Sequence, residues 1–257
     1  MSRFGNLEFG GELDHEFQDR EVVKDAAFYL AEASTAFEEA DFEKALRSFS
    51  KVLEFEPQNA AAWTGQVKAL IELGEFREAK LWADKALERF PQEPELLAAK
   101  GVALGRCGDF EAALAFSDAS IEERGDSPYI WLARGDVLLA RQERRADWCF
   151  DKALSLAPNN WFIAWLAARI RYFHHQFTHA LRYVQQALAW NPGHSMLWHL
   201  QGLCQQQVGM LGQAKTSFTQ AQQLRPGCLQ FEKALAELER AGLGARVGGW
   251  WRQLFPR

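Results

Sequence analysis

Residues Glu56–Trp63 read EPQNAAAW and residues Asn191–Trp198 read NPGHSMLW, each a proline followed six positions later by a tryptophan. The prolines keep a beat: Pro57 to Pro91, Pro158 to Pro192 and Pro192 to Pro226 are each 34 residues. Between Pro91 and Pro158 lie 67 residues, 34 plus 33, with Gly125 at the position where a proline is missing. Alanines repeat the same rhythm at Ala45, Ala79, Ala113, Ala146, Ala180 and Ala214, spaced 34, 34, 33, 34 and 34. Two independent markers share one period and one deletion, which must fall after Gly125 and before Ala146. Unit four therefore lacks a residue in the turn Leu138–Arg145 (LLARQERR).

A period of 34 residues is the length of a helix–turn–helix repeat. In the second unit Trp63, Val67 and Leu70 recur at helical spacing, and Gly74 then breaks the run. Phe76, Ala79, Ala83, Ala86 and Leu87 form a second apolar stripe that ends at Pro91. Small residues such as Ala79 and Gly101 allow close helix approach, while Trp63 and Phe49 fill the space between units. The proline closes one unit, and the tryptophan wedges the first helix of the next against it.

These residues resemble the tetratricopeptide repeat, whose pattern runs W…LG…Y…A…F…A…P. The matches are Trp63…Gly74…Ala79…Ala86…Pro91 and Trp198…Gly202…Gly209…Ala214…Phe218…Ala221…Pro226. Six units follow, at 26–59, 60–93, 94–127, 128–160, 161–194 and 195–228, with a capping helix at 229–241. The array occupies 19–241, after an acidic, aromatic leader (1–18, expected to be flexible) and before a glycine-rich linker and aromatic tail (242–257). The resemblance implies an all-α, right-handed solenoid of antiparallel helix pairs that binds proteins rather than catalysing a reaction.

Composition agrees with a chain that buries a core: 48% of its 257 residues are hydrophobic and 25% charged. No apolar run approaches the ~20 residues of a membrane helix, and the N-terminus lacks the apolar core of a secretory signal. A cytoplasmic location is expected. The net charge of −5 divides into −13 for residues 1–127 and +8 for residues 128–257. Such polarity would suit head-to-tail association of copies or capture of an acidic segment.

The resemblance also locates a concave groove, lined by one face of each first helix. Counting along the units places Tyr129, Leu132 and Asp136 there, then Phe162, Trp165, Arg169 and Tyr172, then His199, with Arg134 at the rim. That face is aromatic and apolar in units four and five, as a peptide-binding surface would be. The carboxylate clamp of chaperone-binding tetratricopeptide grooves is missing, because only Lys68 suits it. Trp250, Trp251, Leu254 and Phe255 form a tail motif expected to dock on protein, its membrane contact being weak for want of a polybasic cluster. Phe4–Phe17 alternates aromatics with acids.

No metal or other cofactor is expected. His174, His175, His179, His194 and His199 match no zinc spacing and read as turn histidines, and the four cysteines form no CxxC pair. Arginines near Tyr129, Trp161, Trp165 and Tyr172 resemble a single-strand binder, but the pI of about 5.8 opposes nucleic acid. No nucleophile elbow, P-loop, HExxH or dinucleotide motif is present. The expected partner is a protein or peptide segment, with self-assembly as the alternative.

Overall fold

The computed structural model describes residues 24–240, and the leader, linker and tail motif (Trp250, Trp251, Leu254, Phe255) lie outside them. The described residues are helical, without strands. Six antiparallel pairs follow one another: α1 (Ala26–Glu38) with α2 (Phe42–Phe55), α3 (Ala60–Leu73) with α4 (Phe76–Leu87), and α5 (Pro94–Arg106) with α6 (Phe110–Glu123). Then come α7 (Pro128–Ala140) with α8 (Ala146–Leu156), α9 (Trp161–Phe173) with α10 (Phe177–Trp190), and α11 (Ser195–Gln207) with α12 (Leu211–Leu224). A last helix, α13, spans 229–240.

The proline–tryptophan spacing has a hydrogen bond behind it. The indole Nε1 of Trp63 donates to the Pro57 carbonyl at 2.9 Å, and that of Trp198 to the Pro192 carbonyl at 2.7 Å. Trp131 does the same to Gly125 at 2.8 Å, so the glycine that replaces the proline still offers its carbonyl. Trp63 and Trp131 thus bury their rings, and Trp198 half-buries its own, while each one's single donor is satisfied. Side chains of Asp25, Asn59 and Asn160 accept from the free amides at the starts of α1, α3 and α9, and Pro94 and Pro128 open α5 and α7.

The turns within units explain the missing residue. A left-handed residue follows each first helix: Ala40, Gly74, Gly108, Gln142, His175 and Gly209. That position keeps its 34-residue spacing through Gln142, so the deletion falls between Gln142 and Ala146. In consequence α8 starts at Ala146 and has 11 residues, whereas α6 and α10 have 14. The deleted turn leaves Arg144 and Arg145 exposed beside it.

Small and large residues interlock as the pattern requires. A Cβ built on Gly135 would stand 2.8 Å from the Phe150 ring, and Gly65 and Gly202 lie tighter still on Phe49 and Phe218. The cap buries Phe231, Ala234 and Leu238 against α12 and α11 and turns its polar face outward, as the end of a repeat stack must.

Candidate functional site

The inner face of the array is not open along its length. Units one and two reach across the bore to unit five. Phe37 meets Phe162 edge-on at 6.0 Å, Phe42 stacks on Trp165 at 6.2 Å, and Phe76 meets Phe173 at 5.7 Å. Within this contact the Arg169 guanidinium donates to the Glu72 carboxylate at 2.6 Å, although the two residues are 97 positions apart. The same guanidinium lies 4.9 Å from the Phe42 ring and 5.0 Å from Trp165. Each charge is paired and each aromatic has a partner, and the contact is driest at Trp165, while Phe173 and the Arg169 side chain stay open to the space beside it.

A second bridge stiffens the units behind it. Arg106 from unit three donates to Asp136 of unit four at 2.6 Å, and His174 of unit five bonds the same carboxylate at 2.7 Å. Burial alone would raise the Asp136 pKa, but the Arg106 cation and the His174 hydrogen bond outweigh it and hold the carboxyl below its usual range. The Arg106 guanidinium in turn lies over the Phe173 ring at 3.9 Å and near the Phe76 ring at 5.4 Å.

The bore contact leaves two chambers. The larger, about 1220 Å³, lies at the C-terminal ends of the first helices and the turns that follow them. Its walls carry Tyr172, Phe173, Phe177 and Leu203 together with Arg144, His175 and His179. The smaller, about 560 Å³, lies between α1 and α3, with Phe162 as its far wall and Glu38, Glu93 and Glu95 around it. Lys68 also faces it, but its ammonium is held by Glu95 at 2.5 Å and sits 3.7 Å above the Tyr129 ring.

The exposed stripe expected from sequence is therefore corrected in part. Leu132, Asp136, Trp165 and His199 are buried, Trp165 at 1% exposure. The cause is the bore contact for Trp165, the Arg106–His174 bridge for Asp136, neighbouring helices for Leu132, and the rings of Phe218 and Phe231 for His199. Arg134 is half-buried and ties α7 to α6 through Asp118 at 2.6 Å, rather than standing free at a rim. Tyr129 is half-buried beneath Lys68. Phe162 lines the smaller chamber, and Arg169 and Tyr172 line the larger.

The histidines divide as well. His175 and His179 are exposed, but His174 is bonded to Asp136, and burial pushes the His199 pKa down to about 4. No group of three metal-ligating side chains occurs among the described residues. Cys149 and Cys204 are buried, and burial raises their thiols to about 11 and about 12, which leaves them unreactive at neutral pH.

Residues 36–103 match the tetratricopeptide-repeat family's sequence profile. That stretch carries tetratricopeptide repeats. Solved structures share this fold well beyond that stretch. A tetratricopeptide repeat protein from Parabacteroides merdae superposes with a TM-score of 0.55 at 16% identity, over 83% of this chain and 84% of that one. A chain of the APC/C hetero-tetramer Cut9–Hcn1 gives 0.52 at 18% identity, over 83% of this chain and 43% of that one, so this chain spans under half the Cut9–Hcn1 chain's length. No curated protein matches the sequence. Tetratricopeptide arrays serve in general as non-catalytic protein-interaction scaffolds, and no helix among the described residues is long and apolar enough to cross a membrane.

Sequence reasoning missed Glu72, Phe76, Phe173 and Phe177 as walls of the larger chamber, while Leu203 falls on the groove face that the repeat register gives. A signal for them existed. The paired histidines His174-His175 and the shortened turn of unit four mark the two irregular turns of the array, and both border this chamber.

Proposed function

We propose that the protein is a non-catalytic adaptor whose larger chamber receives a segment of a partner protein. The observation that supports this is the chamber itself. It is a concave space of about 1220 Å³ that places Tyr172, Phe177 and Leu203 beside the polar side chains of Arg144, His175 and Gln207. Apolar walls with a few placed polar groups are the general form of a binding cleft. The buried inner face of units four and five supports docking at the turn side of the bore, not along the whole groove.

A peptide library displayed on phage and panned over the full chain tests this. Selected peptides are expected to bind Tyr172→Ala and Leu203→Asp variants at least about tenfold more weakly, a change of ~1.4 kcal/mol. Lys68→Ala, in the other chamber, should bind them normally. Equal binding to all variants removes the larger chamber from the account.

A further inference from the structure

The charges around the larger chamber are not evenly used. Each carboxylate in its wall already holds an arginine: Glu72 holds Arg169 at 2.6 Å, Glu143 holds Arg141 at 2.8 Å and Arg145 at 2.6 Å, and Asp147 holds Arg171. Arg106 and His174 are committed to Asp136. What remains without an ionic partner among the described residues is the Arg144 cation, with the exposed imidazoles of His175 and His179 beside it as hydrogen-bonding groups. The smaller chamber has the opposite balance. Its single lysine is bound to Glu95, while Glu38 and Glu93 have no cation among the described residues. One bore thus presents an unspent positive end and an unspent negative end.

An acidic segment with apolar side chains fits the first and is repelled by the second. The chain contains one. Residues 1–23 hold six Asp and Glu against two Arg, with Phe4, Phe9 and Phe17 among the acids. We infer that the chain's own N-terminal segment occupies the larger chamber, its phenylalanines against Tyr172, Phe173 and Leu203 and its carboxylates toward Arg144 and His175. The inference rests on the proposed docking role of that chamber and adds an internal competitor for it.

Reach allows this. Lys24 stands at the N-terminal end of α1, and the chamber lies at the opposite ends of the first helices of later units, so the axial offset of one helix length, about 20 Å, is the least distance to cover. Phe17 and Phe9 lie 7 and 15 positions before Lys24, which extended chain converts to about 25 and 50 Å. Tethering favours this occupant over a second copy. A short tether supplies an effective concentration near the millimolar range, well above that of a second molecule at ordinary protein concentrations.

The test places the photo-cross-linking residue p-benzoylphenylalanine at position 9 of the full chain and maps its adducts by mass spectrometry at two protein concentrations. Adducts within one molecule to Phe173, His175 or Gln207, in a yield independent of concentration, are expected. The double variant Arg144→Glu, His175→Glu should lower that yield several-fold while its helical melt stays in place, since both side chains are exposed. Adducts in the smaller chamber, adducts only between molecules, or no adduct on the array would overturn the inference. Displayed peptides that still depend on Tyr172 in that case would leave the adaptor role standing. Adducts in the chamber without such peptides would spare the inference and remove the adaptor role.

Discussion

Replacing Trp165 by alanine separates the two ways of reading the inner face. If the indole waited on an open groove for a partner, its loss would weaken binding and leave folding intact. The structure instead buries it to 1% exposure, stacked on Phe42, tilted against Phe162 at 5.5 Å and roofed by Arg169. Truncating a buried tryptophan removes its transfer free energy and leaves a cavity, together about 3–5 kcal/mol. At roughly 2–4 °C per kcal/mol for a chain of this size, the melt should fall by about 6–20 °C. The Glu72–Arg169 pair would also lose its shield from water, so the shift should grow with added salt. Circular dichroism melts of the full chain at low and high ionic strength measure both effects. A variant that melts within about 2 °C of the parent, at either salt, would show that the ring contributes nothing to the fold and refute the closed bore.

Other expectations follow from single sites. His199 is neutral when folded, with a pKa near 4 against an ordinary 6.5. The unfolded chain therefore takes up a proton first, and stability is full above pH 6.5 and falls by about 3 kcal/mol as pH drops to 4. His199→Phe should flatten that part of the pH profile of urea midpoints. Asp136→Ala strands two buried partners and should cost about 3–5 kcal/mol, whereas the pair Asp136→Leu with Arg106→Met should cost clearly less in the same urea titration. Gln142 sits at φ 60° in the turn of unit four, so Gln142→Gly should stabilise by about 0.5–1 kcal/mol, read as a higher melting temperature.

What the sequence made legible was local. The Pro57–Trp63 and Pro192–Trp198 pairs lie six residues apart, so one hydrogen bond within that span writes itself into the text as a period. The deletion was visible for the same reason, since Gly125 and Ala146 bracket one helix and the turn after it. The closed bore was not. Whether Trp165 meets a ligand or Phe42 depends on curvature accumulated over four units, each adding a small rotation, and no spacing records that sum. Glu72 and Arg169 look like ordinary solvated charges on their own helices until the path of the chain brings them together. An apolar inner stripe is needed in both cases, so the stripe could not distinguish them. Tyr172 and Arg169 survive as chamber residues because they lie nearest the turns, where the bore stays open.

The contact of Phe42 and Glu72 with unit five has a mechanical consequence. A solenoid whose repeats touch only their neighbours can unzip from either terminus, one pair at a time. Here the front of the array is buckled to its fifth repeat by side chains, so peeling away α1 and α2 would also strip the cover from Phe162 and Trp165 of α9, more than a hundred residues downstream. The chain should behave less as a spring with two loose ends than as a clasp, its first repeats harder to open than those of an array without such a fastening.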